Sequence, residues 1–330
     1  MSFMNFINKL ISFSLIKKLF KSLRDDYVIL YYHGVISDEK FKQLQGPNKN
    51  LFVTRSNFID QMRFLKENDI NVISLDELCE QNFKPKKFSV IISFDDGYKD
   101  NLKIAYPILK KYNFPFIIYL IPKILSEKPW VWWLELWSQL EKKNQIFFEN
   151  KNIDIHTEKL KKDLFFIIKK KMKNLKIYDQ KVELKKIFDL QKLTDMSDFF
   201  LDTNEVKTMI MDKLITIGSH SMDHLCLKNF KKEEVFNQIK NSKEFLEKTF
   251  DFKIKHFSFP YGQNQDISFY EHEILSKLHF QTSVTTFDYS FKKFNKFYLS
   301  RCSIGPNIKK DDFERKLLGV DKILRKIFLR

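Results

Sequence analysis

Cysteine, glycine and long apolar runs are all scarce in this chain, and each scarcity closes off a class of protein. Three cysteines, Cys79, Cys226 and Cys302, lie far apart and are odd in number. That argues against a disulfide framework or a thiolate metal cluster and fits a reducing compartment. With 7 glycines and 8 prolines among 330 residues there is no collagen-like bias and no low-complexity linker. The longest uncharged stretch near the start, Leu10 to Ile16, contains two serines and is bounded by Lys9 and Lys17. It falls far short of the roughly 20 apolar residues a membrane span requires, so no transmembrane helix is expected. Zinc-finger cysteine spacing and an RNA-binding aromatic signature are missing too, and the lysines are spread along the chain. Nucleic acid is therefore not expected as a partner.

What is present is a globular composition, 43% hydrophobic and 30% charged, with a net charge of +16. Such a charge attracts an acidic lipid surface or an acidic or phosphate-linked substrate. No protein partner can be inferred. Residues 1–26 form a basic, apolar segment: Phe3, Phe6, Ile7, Leu10, Ile11 and Phe13 share one helical face, and Leu15, Ile16, Leu19, Phe20 and Leu23 share another. It reads either as a surface helix in peripheral contact with an anionic membrane or as two short helices packed on the domain.

Short apolar runs predict strands at Val28–Tyr32, Val72–Leu75, Phe88–Phe94, Phe116–Ile121, Leu214–Ile217, His256–Phe259 and Thr282–Thr285. Helical patterns such as Phe58, Met62 and Leu65, or Val235, Ile239, Leu246 and Phe250, lie between most of them. Alternation of this kind predicts a parallel α/β fold, and about seven repeats suit a closed or nearly closed barrel. From about Ser126 to Leu201 there is no clear strand, only Trp130, Trp132, Trp133 and Trp137 followed by Lys-rich helical sequence. This is read as an insertion within a domain of residues 27–308, with a basic helix at 309–330. Trp132 and Trp133 are candidate sugar-stacking residues; the alternative for the whole cluster is a hydrophobic seam joining insertion to barrel.

Three stretches carry chemistry. Phe88 to Gly97 is an apolar strand ending in Asp95, Asp96 and a glycine, at the strand end where barrel enzymes keep their sites. Adjacent carboxylates leave a strand in different directions and can take different jobs, although such a triplet is also an ordinary turn. Leu214 to His224 is another apolar strand, running into His220 and His224. If the chain turns helical there, residues four apart fall on one face and can share a cation. His256 to Gly262 ends in a Pro-aromatic-Gly corner able to aim a backbone N–H at a developing oxyanion.

In this order, with Tyr31-Tyr-His-Gly-Val35 preceding them, the three stretches resemble the polysaccharide deacetylase family, also called NodB-homology or carbohydrate esterase family 4, in its surface-polysaccharide branch. The resemblance implies a distorted (β/α)7-type barrel. It implies Asp95 as general base, and Asp96, His220 and His224 as ligands of one divalent ion, zinc or else cobalt or another. It also implies Pro260 and Tyr261 as site-lining residues, with the Tyr261 N–H as oxyanion donor. Two positions depart from the family pattern. The arginine before the Pro-Tyr corner is absent, and the usual Leu-x-His appears as Leu299-Ser-Arg301. Arginine donates no proton near neutral pH. His33 is the first substitute for the general acid and His256 the second, with Arg301 orienting Asp95. Asp288-Tyr289 faintly echoes a further family motif.

The implied activity is removal of an N-acetyl or N-formyl group from a surface glycan or a lipid-linked sugar precursor; the basic, apolar N-terminal segment, without a convincing export signal, places the expected work at the cytoplasmic face of the membrane. The alternatives are a glycan-binding pseudoenzyme that has lost its acid, and a membrane adaptor acting through the basic terminal helices, including Phe313–Arg330.

Overall fold

The computed structural model describes residues 14–126, 128–268, 270–287, 295–320 and 322–324. The first 13 residues, Asp288-Tyr289 and residues 325–330 lie outside the described residues, and with them most of the N-terminal apolar stripe and the end of the expected C-terminal helix.

Seven parallel strands close into a barrel: β1 Tyr27–Tyr32, β2 Ser89–Asp96, β3 Phe116–Leu120, β4 Ile215–Ser219, β5 His256–Ser258, β6 Thr282–Thr285 and β7 Leu299–Ser303. Each pairs with the next in sequence, and β7 returns to β1 with Ile29 opposite Arg301. The join between β4 and β5 is a single residue pair, Phe257 with Ser219, whereas β1 pairs six residues of β2. This unevenness is the distortion of the ring.

Strand alternation sorts the side chains into two populations. Ile29, Ile91, Ile117, Val284 and Leu299 fill the barrel interior. Their neighbours Leu30, Val90, Ile92, Phe116 and Ile118 face outward into the layer under the helices. Both faces are covered, which is why the strands read as continuous apolar runs.

Helices of eight or more residues are α1 Ser14–Leu23, α2 Arg55–Glu67, α3 Trp132–Glu141, α4 Glu158–Met172, α5 Ile177–Phe188, α6 Lys232–Phe250 and α7 Lys310–Leu317. α2 starts where the Thr54 hydroxyl accepts the Asn57 N–H, and it buries Phe58, Met62 and Leu65 at helical spacing. α6 does the same with Val235, Ile239, Leu246 and Phe250. α1 packs on the end of the chain: Phe20 lies against Leu318 and Val320, and Lys17 pairs with Glu314. No helix among the described residues is long and apolar enough to cross a membrane.

Three expectations need correction. Val72–Leu75 is only a two-residue strand, Asn71–Val72, because Ser74 and Glu77 form a capping box that starts a helix at Leu75. The strand that closes the ring is instead Leu299–Ser303, whose polar LSRCS sequence hides it. The insertion also contains an antiparallel hairpin, Gln145–Phe148 with Lys151–Asp154.

The four tryptophans are buried in one cluster with α4, α5 and the Phe52 and Tyr98 side chains. They therefore form the hydrophobic seam between insertion and barrel. Glu135, fully buried, is satisfied there by the Trp130 indole, the Gln139 amide and the Thr194 N–H.

Candidate active site

The C-terminal ends of the strands open into a cavity of about 400 Å³ lined by the three chemistry-bearing stretches and by the insertion. Asp95 continues the inward alternation of Ile91 and Ser93 and so points into the barrel. Arg301, two residues beyond Leu299, points inward from β7. The two meet in a bidentate pair with both N–O distances 2.7 Å. Arg301 also donates to the Ser258 hydroxyl at 2.9 Å and lies over the Tyr31 ring, 4.6 Å from its centre. Burial alone would raise the Asp95 carboxyl. The Arg301 guanidinium overrides this and holds it well below the usual carboxylate range. Arg301 thus fixes the orientation of Asp95 from β7.

Asp96 would face outward by alternation. Its φ of +71° and the φ of +77° at Gly97 swing the chain over, and a Cβ at Gly97 would come within 2.7 Å of Leu120. The expected helical turn between His220 and His224 is not formed. That stretch is a loop in which Ser221 and His224 have φ of +61° and +54°. The loop still brings the two rings to 4.9 Å, and each Nε2 lies 3.5 Å from the same Asp96 Oδ1.

The ligand atoms of Asp96, His220 and His224 all lie within 4.8 Å of one another, and among the described residues no other His, Cys, Asp or Glu joins them. Four observations fit a cation. His220 Nδ1 is 2.8 Å from the Ser258 carbonyl, which fixes the proton there and leaves Nε2 as a lone pair. Burial lowers both imidazole pKa values, so the rings are neutral donors. Asp96 Oδ1 is buried without a hydrogen-bond partner. Burial and the neighbouring Asp95 charge push the Asp96 carboxyl far up, an unfavourable state that a cation reverses. Ligands about 2.0–2.2 Å from a tetrahedral ion stand roughly 3.3–3.5 Å apart, which matches the 3.5 Å between Asp96 Oδ1 and each Nε2.

His33 lines the same cavity, and burial pushes its pKa down to about 4 against the pull of Asp95. His256 does not reach it. It sits at the start of β5, at the opposite end of the barrel, with Nδ1 2.8 Å from the Thr282 hydroxyl and Nε2 3.4 Å from Asp76. It is thereby removed as a candidate acid. Tyr261 has a φ of +60°, its ring is 5.0 Å from that of His224, and its hydroxyl accepts the Trp132 indole N–H at 3.2 Å. Its own N–H has no intramolecular acceptor among the described residues. Pro260 is buried behind it, with its carbonyl taking the Gly262 N–H. Trp132 and Trp133 belong to the seam and also line the cavity, and the Trp133 ring is 4.9 Å from His224.

Lys169, Lys173 and Asp266 also line the cavity and were not singled out in the sequence. The first two stand four apart, at the end of α4 and at its C-cap, a spacing that in the sequence does not distinguish them from the other basic residues of the insertion.

Comparison with known proteins agrees with this picture. The family model described as polysaccharide deacetylase matches residues 82–282, more than half of the chain. YxkH of Bacillus subtilis, which carries the same family's name, is 34% identical over 103 residues, 30% of this chain and 33% of that protein. The poly-beta-1,6-N-acetyl-D-glucosamine N-deacetylase of Staphylococcus aureus is 38% identical over 82 residues, 24% of this chain and 28% of that protein. These matches span a third or less of the relatives' length. The deacetylase PplD of Streptococcus pyogenes, solved with acetate, shares the fold at a TM-score of 0.58 and 18% identity, over 88% of this chain and 97% of that one.

Proposed function

Because the chain belongs to the polysaccharide deacetylase family, we propose that it is a metal-dependent hydrolase. In this reading it removes an acetyl or formyl group from an N-acylated amino sugar of a cell-surface polysaccharide or its lipid-linked precursor. The observation that carries the reading is the convergence of Asp96, His220 and His224 within 4.8 Å, with Asp95 beside them in the same cavity.

Asp96, His220 and His224 hold one divalent ion. Zinc is the best match to two neutral imidazoles and a carboxylate with an open position, and cobalt is the alternative. When bound, the ion acidifies water and polarises the acyl carbonyl. Asp95 takes the proton of the attacking water. Arg301 occupies one side of both Asp95 oxygens, fixes their direction and leaves lone pairs free on the other side. The Tyr261 N–H donates to the developing oxyanion. His33 rests neutral near pH 7, so it protonates the leaving amine only after receiving a proton, and Asp95, in the same cavity, passes on to it the one taken from the water.

The test is acetate release from a β-1,6-linked N-acetylglucosamine oligomer, the polymer for which the Staphylococcus aureus relative is named. Asp95→Asn is expected to lower kcat by about 10²–10⁴-fold while metal content is unchanged. Bound metal with no release from any N-acylated glycan would favour a glycan-binding protein instead. We also place the protein at the cytoplasmic membrane face, on the strength of its net charge of +16 and its basic, apolar start. Recovery in the soluble fraction at low salt, or in a periplasmic extract, would remove that placement.

A further inference from the structure

Five charged side chains line the cavity, and four of them are accounted for. Asp95 is held by Arg301, Asp96 belongs to the cation site, and Lys173 and Asp266 pair with each other. The fifth is Lys169, whose ammonium makes no ion pair or hydrogen bond among the described residues. It is half-buried on α4, one turn before Lys173 and one turn after Phe165, so the three share the stripe of the helix that faces the cavity. Burial lowers its pKa, with the Lys173 charge adding and the Asp266 charge opposing. Lys173 lies over the Tyr261 ring, 4.7 Å from its centre, and that ring is in turn 5.0 Å from His224. Lys169 therefore stands on the insertion wall of the same cavity, next to the Lys173 that overlies Tyr261.

Lys169 and Lys173 share the single carboxylate of Asp266, so one positive charge on this wall stays uncompensated until something that enters the cavity supplies an anion. Taking the deacetylase reading as given, we propose that Lys169, backed by Lys173, forms a subsite for an anionic oxygen group on the sugar substrate, a phosphate or a carboxylate. Asp266 neutralises Lys173 and leaves the charge of Lys169 in surplus, so the subsite favours an anion over a neutral hydroxyl. The rival is structural: Asp266 Oδ2 is buried without a partner and could take the Lys169 ammonium itself.

Calorimetric titration of the full chain distinguishes them, using N-acetylglucosamine, its 1-phosphate, its 6-phosphate and its 6-carboxylate. The wild type is expected to bind at least one acidic sugar about tenfold or more tightly than the neutral one. The phosphates and the carboxylate are separate arms that identify the source of the anion. Lys169→Gln should abolish the preference and leave the neutral sugar's Kd unchanged. Lys169→Arg should keep most of it, and Lys170→Gln, an equal charge loss at an exposed neighbour, should keep all of it. Equal Kd values for neutral and acidic sugars in the wild type would overturn the proposal. So would a Lys169→Gln change that weakens both alike, as the Asp266 role predicts. Acetate release is read separately: an acidic preference without turnover sinks the deacetylase reading and spares the subsite, and turnover without preference does the reverse.

Discussion

Arg301 and Asp95 face each other with side chains almost wholly removed from water. Removing one partner of such a pair strands the other as an unpaired buried charge, at a cost of about 3–5 kcal/mol. Arg301→Gln should therefore lower the unfolding free energy by about that amount in a denaturant titration, with Arg301→Lys in between because it keeps the charge and loses the fork. A second pair lies at the other end of the barrel, where His256 and Lys255 lower the pKa of Asp76. A carboxylate with a depressed folded-state pKa adds stability above its unfolded value of about 4, and that stability is lost as pH falls below it. Wild type should thus keep its thermal-midpoint advantage over Asp76→Asn from pH 7 down to about pH 4 and lose it progressively below that, as pH falls toward the depressed folded-state value; a gap that stays constant below pH 4 would refute the linkage. Asp95, Asp96, His220 and His224 were legible in the sequence because few other carboxylates or histidines end an apolar strand. Lys169 and Asp266 were not, since they come from distant segments and only the folded insertion brings them to one wall.

Among the elements, those with strong hydrophobic runs were readable: β2 and β3 are apolar on both faces because helices cover one side and the barrel interior the other. β7 was not readable, because its central inward position, after Leu299, is an arginine matched to a buried carboxylate rather than an apolar residue. The family pattern alone drew attention to that position. The insertion was legible as an interruption, and its docking now rests on a definable contact. Gly46 has a φ of +68°, and a Cβ there would fall 1.9 Å from the Trp137 ring. Gly46→Ala combines a left-handed backbone penalty with overpacking, about 2 kcal/mol or more. The expected readout is earlier protease cleavage within 127–201 than in the rest of the chain; uniform resistance equal to wild type would contradict the seam.

At the scale of the molecule, the ring of strands fixes one end for chemistry. Residues remote in sequence, from β1 to β7, reach the same cavity only because the sheet closes, so the fold class, once legible from alternation, already placed the site. The metal centre is the claim on which the rest depends. The most direct measurement is metal titration of chelator-treated protein, with bound ion and acetate release followed together in wild type, Asp96→Asn and His220→Ala. The account predicts one tight equivalent of zinc or cobalt in the wild type, recovery of acetate release in step with it, and loss of both in the two variants. Undiminished release by metal-free protein, or an unchanged equivalent in both variants, would contradict it.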